Sequence, residues 1–228
     1  MAIAFDAASG SSGTGTSLTY AHTCTGSDRI LFVGFFQDGV NDVTGVTYAG
    51  VSMTEITPAV ERPIDSGFYH LFYLVAPSTG ANNIVISKST STGIYSNAAS
   101  YTGASQTGVP DSTASATGKP VSGLTGTTTV VASTCWTLFG MLCDNSNIQA
   151  GASTTIRNGT GTPNAICDSN GVVGTGSQSL IVTSNANSGA AGRIVSFAAS
   201  GGGATSPKLF TLLGAGTYLW KNSLTTFK

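Results

Sequence analysis

Charged residues are scarce in this chain. Lysine, arginine, aspartate and glutamate together make up 8% of its 228 residues, against about 25% in an average soluble protein. These residues normally build the exposed faces of helices, so their shortage argues against a helical fold. The nine cationic residues are scattered and the formal net charge is −1. The sequence therefore lacks the clustered basic surface of a nucleic-acid-binding protein.

Long apolar runs and a targeting segment are also missing. No run reaches the roughly 18 apolar residues that a membrane helix needs, so no membrane partner is expected. The stretch from Met1 to Asp6 has neither the basic nor the apolar region of a secretory signal peptide. Because the composition, poor in charge and rich in Thr and Gly, suits an extracellular or particle surface, this favours assembly in the cytoplasm before release.

Catalytic motifs are absent as well. The sequence contains no G-x-S-x-G, G-x-x-x-x-G-K-[ST], G-x-G-x-x-G or H-E-x-x-H pattern. Its two histidines, His22 and His70, fall within alternating strand-like segments, where a structural role is expected. Glycoside hydrolysis needs paired carboxylates, and the ten acidic residues lie mainly in turns. We therefore predict that the protein is not an enzyme and holds no resident cofactor.

The four cysteines form no CxxC pair, which argues against a zinc site. If residues 135 to 143 form one strand, Cys135 and Cys143 lie about 27 Å apart at ~3.4 Å per residue and cannot bond to each other. Four small buried side chains are expected. A disulfide from Cys24 or Cys167 to one of the others remains an alternative.

Apolar residues make up 40% of the chain and fall into discrete runs. Three of these runs, residues 30–36, 43–53 and 68–75, are short, rich in β-branched and aromatic residues, and bounded by turn residues, as strands are. The Ala-Gly pair between Tyr48 and Val51 predicts a tight hairpin in which Gly50 takes a positive φ.

The first and third runs are apolar at every position, whereas a strand with one solvated face should alternate. We therefore predict that the second face of these strands, marked by Phe35 and Leu71, is covered. The cover is either another segment of the chain or another subunit.

Ten to twelve strands are predicted in all, without a repeat of fixed period, which indicates an all-β antiparallel sandwich or barrel. Residues 9–17 are predicted to separate two short strands. Residues 112–127 are polar and glycine-rich, and the next strand is predicted over residues 129–142. The sandwich domain is assigned to residues 1–200, and residues 201–228 to a glycine-hinged apolar extension that packs on its own domain or on a neighbouring subunit. The apolar residues expected at this interface are Leu209, Phe210, Leu212, Leu213, Tyr218, Leu219 and Trp220.

Two surface sites are considered. Asp38, Asn41 and Asp42 place oxygen ligands in one loop, the arrangement by which calcium binds to β-sandwiches, although the same residues also simply make turns. Several tyrosines could form a sugar-stacking platform, although alternating aromatics also pack cores. The five tyrosines are Tyr20, Tyr69, Tyr73, Tyr95 and Tyr101.

The order of several segments resembles a jelly-roll-like module of tailed-phage and bacterial surface proteins. The segments are residues 26–34, 43–51, 73–77, 83–86 and 101–104, with sequences GSDRILFVG, VTGVTYAGV, YLVAP, NIVI and YTGA. The resemblance spans roughly residues 15 to 200 and implies a jelly-roll-like β-sandwich with no catalytic signature. In phages, proteins of this kind decorate capsids or form parts of tails and fibres.

The leading hypothesis is therefore a virion structural protein, a homotrimeric capsid decoration protein that sits on the virion surface and binds a major capsid protein. The alternatives are a phage tail, fibre or receptor-binding component and a secreted carbohydrate-binding module.

Overall fold

The computed structural model of the protein describes residues 1–63, 67–143, 147–159 and 163–201, with the backbone alone at 120–122 and 185–188. These residues contain fourteen strands and no helix. The strands are β1 (Ala4–Cys24), β2 (Ile30–Asp38), β3 (Val43–Tyr48), β4 (Val51–Ser52), β5 (Thr54–Glu55), β6 (Val60–Glu61), β7 (Gly67–Val75), β8 (Gly80–Thr102), β9 (Ser112–Val130), β10 (Cys135–Cys143), β11 (Gln149–Ala150), β12 (Thr155–Asn158), β13 (Asn164–Asp168) and β14 (Gly176–Ala198).

The strands form two antiparallel sheets. The first has the order β4-β3-β8-β2-β7-β5, with β1 paired to β8 and β6 paired to β7. The second has the order β11-β14-β10-β13-β12, with β9 paired to β14. The predicted fold class, an all-β antiparallel sandwich of jelly-roll-like kind, is confirmed.

The two sheets repeat one topology. In each, a long first strand (β1 or β9) pairs with a long last strand (β8 or β14). The other edge of that last strand pairs with the second strand (β2 or β10) and the third (β3 or β11). The second strand then pairs with β7 or β13. We call residues 1–102 the first half and residues 112–198 the second half.

The pairing register is repeated as well. Each long last strand has 23 residues and begins at a glycine with positive φ, Gly80 at 86° and Gly176 at 95°. Gly80 lies opposite Cys24, the last residue of β1, and Gly176 lies opposite Val130, the last residue of β9. The sequence shows no fixed period because the connections between equivalent strands differ in length and the side chains have diverged.

Each half consists of two layers that share its long strands. The first part of β8 pairs with β3 and alternates between buried and solvent-facing residues from Ile84 to Ser89. The later part pairs with β2 and is buried at every position from Ser96 to Tyr101. Since burial on both faces requires a cover on both sides, the layer that contains β2 is internal and the layer that contains β3 faces solvent.

The internal layers of the two halves pack against each other in a reciprocal manner. β2 contacts β10, β8 contacts β13 and β14 contacts β7, while β1 contacts β12 and its counterpart β9 contacts β6. Equivalent surfaces that contact each other reciprocally define an isologous, twofold interface. The chain is therefore built like a symmetric dimer whose two subunits are joined into one polypeptide.

Three large apolar cores result, beside a small cluster of Val130, Ala132, Cys135 and Ala198. The core of the first half contains Leu18, Leu31, Val33, Phe35, Val46, Tyr48, Phe72, Ile84, Ile86, Ile94 and Ala98. The core of the second half contains Leu124, Phe139, Met141, Cys143, Ile148, Ala165, Cys167, Leu180, Val182, Ala190 and Ile194. The core between the halves contains Ile30, Phe32, Phe36, Tyr69, Leu71, Tyr101, Trp136, Leu138, Leu142, Ile166, Val195 and Phe197.

These cores explain why residues 30–36 and 68–75 carry apolar side chains on both faces. In β2, Phe35 belongs to the core of the first half and its neighbour Phe36 to the core between the halves. Both Phe35 and Leu71 have no exposed surface, which confirms the predicted covered face. The second half of the same chain covers the face that carries Leu71, whereas the first half's own solvent-facing layer covers the face that carries Phe35. These runs therefore give no argument for a second subunit.

Two segments without a predicted strand are strands in the structure, and the prediction that residues 9–17 separate two strands is wrong. Residues 9–17 lie inside the continuous strand β1, and residues 112–127 lie inside β9. Both segments are rich in Gly, Ser and Thr and show no apolar periodicity. They are extended because β8 and β14 offer a paired backbone along their whole length, so tertiary pairing overrides weak local preference.

The predicted hairpin is present between β3 and β4, where Tyr48 lies opposite Val51. Gly50 has the expected positive φ of 78°, and Ala49 has a φ of 51°. Positive φ at both central residues is the signature of a type I′ turn, which favours Asn-Gly. An alanine in this conformation is strained.

Replacing Ala49 by asparagine is expected to raise the free energy of unfolding by about 1 kcal/mol, because asparagine tolerates the left-handed conformation. Urea denaturation measures the change. Ala81→Asn is the matched control, since Ala81 is also exposed but lies in a strand. An equal gain in both variants would contradict the explanation.

The four cysteines are free and buried. Cys135 and Cys143 stand at the two ends of β10, as expected. The alternative of a disulfide from Cys24 or Cys167 is therefore wrong. The four thiols are small buried side chains, and Cys167 Sγ also donates a hydrogen bond to the Phe139 carbonyl oxygen at 3.2 Å.

Two glycines face one tyrosine where the halves meet. An ideal Cβ on Gly34 would lie 2.0 Å from the Tyr69 hydroxyl oxygen, and one on Gly140 would lie 2.1 Å from it. Tyr69 is 1% exposed and belongs to the core between the halves. β2 and β10 can approach this side chain only because neither carries a Cβ at that point.

Replacing Gly140 by alanine is expected to cost about 1–3 kcal/mol of unfolding free energy by overpacking. Gly45→Ala should cost little, because no atom lies within 4 Å of its added Cβ. Combining Gly140→Ala with Tyr69→Phe should recover part of the loss in thermal unfolding, because the hydroxyl is the nearest obstacle. A double variant that is additively destabilised would contradict this.

Candidate functional site

The loop proposed for calcium follows β2, and its carboxylates are engaged within the chain. The Asp42 Oδ1 atom accepts a hydrogen bond from the Gln37 side-chain amide at 2.7 Å, and its Oδ2 atom accepts one from the Thr90 backbone N–H at 2.6 Å. The hydrogen bonds from Thr90 and Gln37 lower the pKa of Asp42 against a smaller opposing effect of desolvation.

A lysine lies next to this loop and supplies a positive charge beside Asp38 and Asp42. Lys88 is 4% exposed and hydrogen-bonds to the Thr92 hydroxyl, which donates to the Asp38 backbone carbonyl at 2.7 Å. Burial lowers the pKa of Lys88, and the charges of Asp42 and Asp38 oppose that effect. Asn41 is exposed. In the described ranges no group of three or more His, Cys, Asp or Glu residues is arranged to hold a metal ion.

A serine and a histidine meet in β1 without forming a catalytic pair. The Ser9 hydroxyl lies 2.8 Å from His22 Nδ1, and His22 is 2% exposed. Desolvation lowers the pKa of His22 to about 4, so the imidazole is a weak base. Its Nε2 atom is buried and has no hydrogen-bond partner among the described residues, so no acid orients the ring as in a triad.

The second histidine lies near a surface groove. His70 Nδ1 lies 2.7 Å from Glu55 Oε1, and the ring stacks on Phe35 at a centroid distance of 4.9 Å. Glu55 also lines a groove of about 490 Å³ together with Val43, Met53, Phe72 and six further residues. His70 is 1% exposed, so the imidazole does not reach the groove, and its contact with Glu55 holds β5 against β7.

A buried polar cluster joins the two halves. Asp168 has no exposed surface and accepts hydrogen bonds from the Tyr101 hydroxyl at 2.6 Å and from Arg157 Nε and Nη2 at 2.7 and 2.9 Å. The Asn170 backbone N–H donates to the same carboxylate at 2.8 Å. The Arg157 guanidinium also lies 4.2 Å from the centroid of the Phe5 ring. A tyrosine from β8 is thus bound to an aspartate from β13 and an arginine from β12.

A second carboxylate arrangement occurs once in each half. Asp6 Oδ2 accepts from the Thr25 backbone N–H and from the Ser100 hydroxyl, both at 2.8 Å. Asp111 Oδ2 accepts from the backbone N–H of the first residue after β9 at 2.9 Å and from the Ser196 hydroxyl at 2.8 Å. The two aspartates thus fix equivalent strand ends, which is a structural role that the sequence alone does not reveal.

The five tyrosines do not form an exposed platform. Tyr69 and Tyr101 are buried, Tyr73 and Tyr95 pack against the core between the halves, and Tyr20 packs against the core of the first half. The Tyr20 hydroxyl also hydrogen-bonds the Ser96 hydroxyl at 2.7 Å. These positions agree with the alternative considered for the five tyrosines, that alternating aromatics pack the cores.

The predicted interface residues, from Leu209 to Trp220, lie outside the described residues. The structure does show where that segment begins. The Met1 amine donates to the Ser200 carbonyl oxygen at 2.9 Å, and Ser200 N–H donates to the Gly103 carbonyl at 2.7 Å. The extension therefore leaves the sandwich beside the start of β1.

Within the described ranges, the structure contains no helix with the length and apolarity required to traverse a bilayer. Comparison with protein-family models, with curated proteins and with solved structures found no match to this chain.

Proposed function

We propose that this protein is a virion structural protein, a capsid decoration protein that assembles as a homotrimer on the virion surface and binds a major capsid protein. It is made in the host cytoplasm and acts without catalysis or a cofactor.

The observation that carries the proposal is the apolar extension that follows a complete sandwich. Residues 1–201 supply three packed cores of their own. The sequence then continues with Leu209, Phe210, Leu212 and Leu213, apolar side chains in a segment too short to form its own core. Such side chains require burial against a surface, and a neighbouring subunit on a particle provides one.

The polar groups inside the sandwich support the same reading. The half-buried carboxylates of Asp6 and Asp111 and the buried carboxylate of Asp168 each bind strand ends or opposing strands. Polar side chains that hold the strands in place, with no role in catalysis, suit a protein that acts by presenting a rigid surface. Each substantial interface would bury on the order of 1,000 Å² or more.

A phage tail, fibre or receptor-binding component is the second candidate, because the same extension could hold a subunit in those assemblies. A secreted carbohydrate-binding module is disfavoured, because the tyrosines that suggested it pack against the cores.

The test combines the state of the purified protein with its position on the particle. Sedimentation velocity of the full chain should give a trimer, and gold-labelled protein added to virions of the phage whose genome carries this gene should mark the capsid shell. Label confined to tails or fibres would favour the second candidate. A monomer at high concentration that binds no particle would overturn the proposal.

A further inference from the structure

The outer edge of β1 is an open strand edge. β1 pairs with β8 over nearly all of its 21 residues and, in the part of the chain that the structure describes, with no other strand. An open edge presents a row of backbone N–H and C=O groups that can pair with a further strand. An edge of this length is unusual, since strands in globular proteins are mostly about 3–10 residues long.

β1 also lacks the residues that normally prevent such pairing. Its only charged residue is Asp6, and it contains no lysine, arginine, glutamate or proline. The equivalent edge strand of the second half, β9, carries Lys119 and Pro120 in its middle. Lysine and proline are the residues by which natural edge strands avoid association. The two equivalent edges are therefore treated differently, and only the edge of β9 is protected.

The exposed part of β1 is accessible to an incoming backbone. Small residues line it, and the exposed ones from residue 10 to residue 17 are Gly10, Ser12, Gly13, Thr14, Thr16 and Ser17. Such side chains leave room for a neighbouring strand, and their hydroxyls tolerate either solvent or a polar partner. The edge is open in backbone chemistry and unobstructed by large side chains.

The segment after the sandwich has the complementary charge. Residues 1–201 contain six cationic and ten acidic side chains, which leave them four charges negative. Residues 202–228 contain Lys208, Lys221 and Lys228 and no acidic residue. The stretch from Leu209 to Leu213 is rich in residues that suit a strand that packs one face on a sheet.

We propose that residues 204–228 of one copy of the chain add as a strand to the free edge of β1 in a second copy. This inference rests on the homo-oligomer of the proposed function and names the surface through which it forms. In an extended strand, Phe210 and Leu212 share one face and turn toward the sandwich of the second copy, while backbone hydrogen bonds along β1 supply most of the contact.

Strand direction favours pairing of β1 with residues 204–228 of a second copy over pairing with the same segment of its own chain. Every ladder in the described part of this protein is antiparallel. The extension leaves beside Met1, so a segment that continues along its own β1 starts at the same end and runs parallel to it. A segment from a second copy can approach from the other end and pair antiparallel, the more stable arrangement.

The test places lysines on each of the two equivalent edges of the full chain. Ser12→Lys with Thr14→Lys protects β1, and Thr113→Lys with Thr117→Lys adds the same charge to exposed positions of β9. Sedimentation velocity should show self-association weakened at least tenfold by the β1 pair, about 1.4 kcal/mol, and changed less than twofold by the β9 pair. Circular dichroism melts confirm that each variant is folded.

A second measurement uses the unaltered protein, in case the β1 variant does not fold. A synthetic peptide of residues 204–228, added in excess, should compete for β1 and dissociate the oligomer, whereas a scrambled peptide of the same composition should not. Hydrogen exchange should show the amides of residues 10–17 that point away from β8 protected in the oligomer and in the peptide complex, and exchanging faster once dilution gives the monomer.

The outcomes separate this inference from the proposed function. Association that resists both the β1 lysines and the peptide would overturn the edge inference and leave the oligomer standing. A monomer in which the β1 amides that point away from β8 are protected at every concentration would mean that the segment pairs within its own chain, which also overturns it. A wild-type chain that neither associates nor binds a particle would remove the proposed function itself.

Discussion

Replacing Asp168 by alanine is expected to lower the free energy of unfolding by about 3–5 kcal/mol, as removal of one partner of a buried ion pair does. The carboxylate has no exposed surface and binds Tyr101 and Arg157. Without it, the guanidinium and the phenol remain inside the protein with unsatisfied donors. The loss falls on the contact between the halves, since Tyr101 comes from β8 and Arg157 from β12.

Urea denaturation at neutral pH measures this change, and Asp42→Ala is the matched control. Asp42 also accepts two hydrogen bonds, but it lies at the surface, so its removal should cost far less. A double-mutant cycle between Tyr101→Phe and Asp168→Asn isolates the hydrogen bond across the halves. Near-zero coupling, together with a cost for Asp168→Ala similar to that of the control, would show that the cluster does not hold the halves together.

Stability is expected to fall by about 3 kcal/mol between pH 7 and pH 4 because of His22 alone. Desolvation lowers the pKa of His22 from its usual 6.5 to about 4 in the folded protein. Between these two values the unfolded chain binds a proton that the folded chain does not, so acid favours unfolding. Each unit of difference in pKa corresponds to about 1.36 kcal/mol.

The measurement compares wild type with His22→Gln across that pH range. Other groups titrate in both proteins, so their contribution cancels, and the wild type should lose about 3 kcal/mol more than the variant on going from pH 7 to pH 4. The difference should stop growing below pH 4, because both states then carry the proton. Parallel pH profiles of the two proteins would show that His22 is not desolvated.

The cores and the general architecture are predictable from sequence because they follow from local patterns. The runs at residues 30–36 and 68–75 predict buried strands, and the Ala-Gly pair predicts the hairpin. Even the covered second face follows from the absence of alternation. What covers it does not follow, because the choice between a second segment and a second subunit depends on contacts between residues far apart in sequence.

The long edge strands are not predictable for a related reason. Residues 9–17 and 112–127 carry a composition typical of loops, and only pairing with β8 and β14 makes them strands. The repeat is hidden in the same way, since register is a property of the backbone and leaves little trace in side chains. Cys24 and Val130, for example, occupy equivalent positions.

The polar sites are formed by residues that lie far apart in sequence, so the spacing of residues along the chain does not predict them. Asp38 and Asp42 form a sequence pattern suited to a cation, but Lys88, a distant residue in β8, supplies the positive charge beside them. Tyr101 and Asp168 share no sequence signal, although together they form a buried polar contact between the halves. The predicted interface in the extension stays a prediction.

Covalent joining of the two halves permits an asymmetry at their centre. Phe36 and Leu142 are equivalent, and they lie opposite Tyr69 and Asn164. Tyr69 alone reaches between Gly34 and Gly140, a place with room for one phenol. In a dimer of identical subunits a tyrosine there would occur twice and the two hydroxyls would collide, whereas a fused chain can keep one large side chain and replace its counterpart with a smaller one.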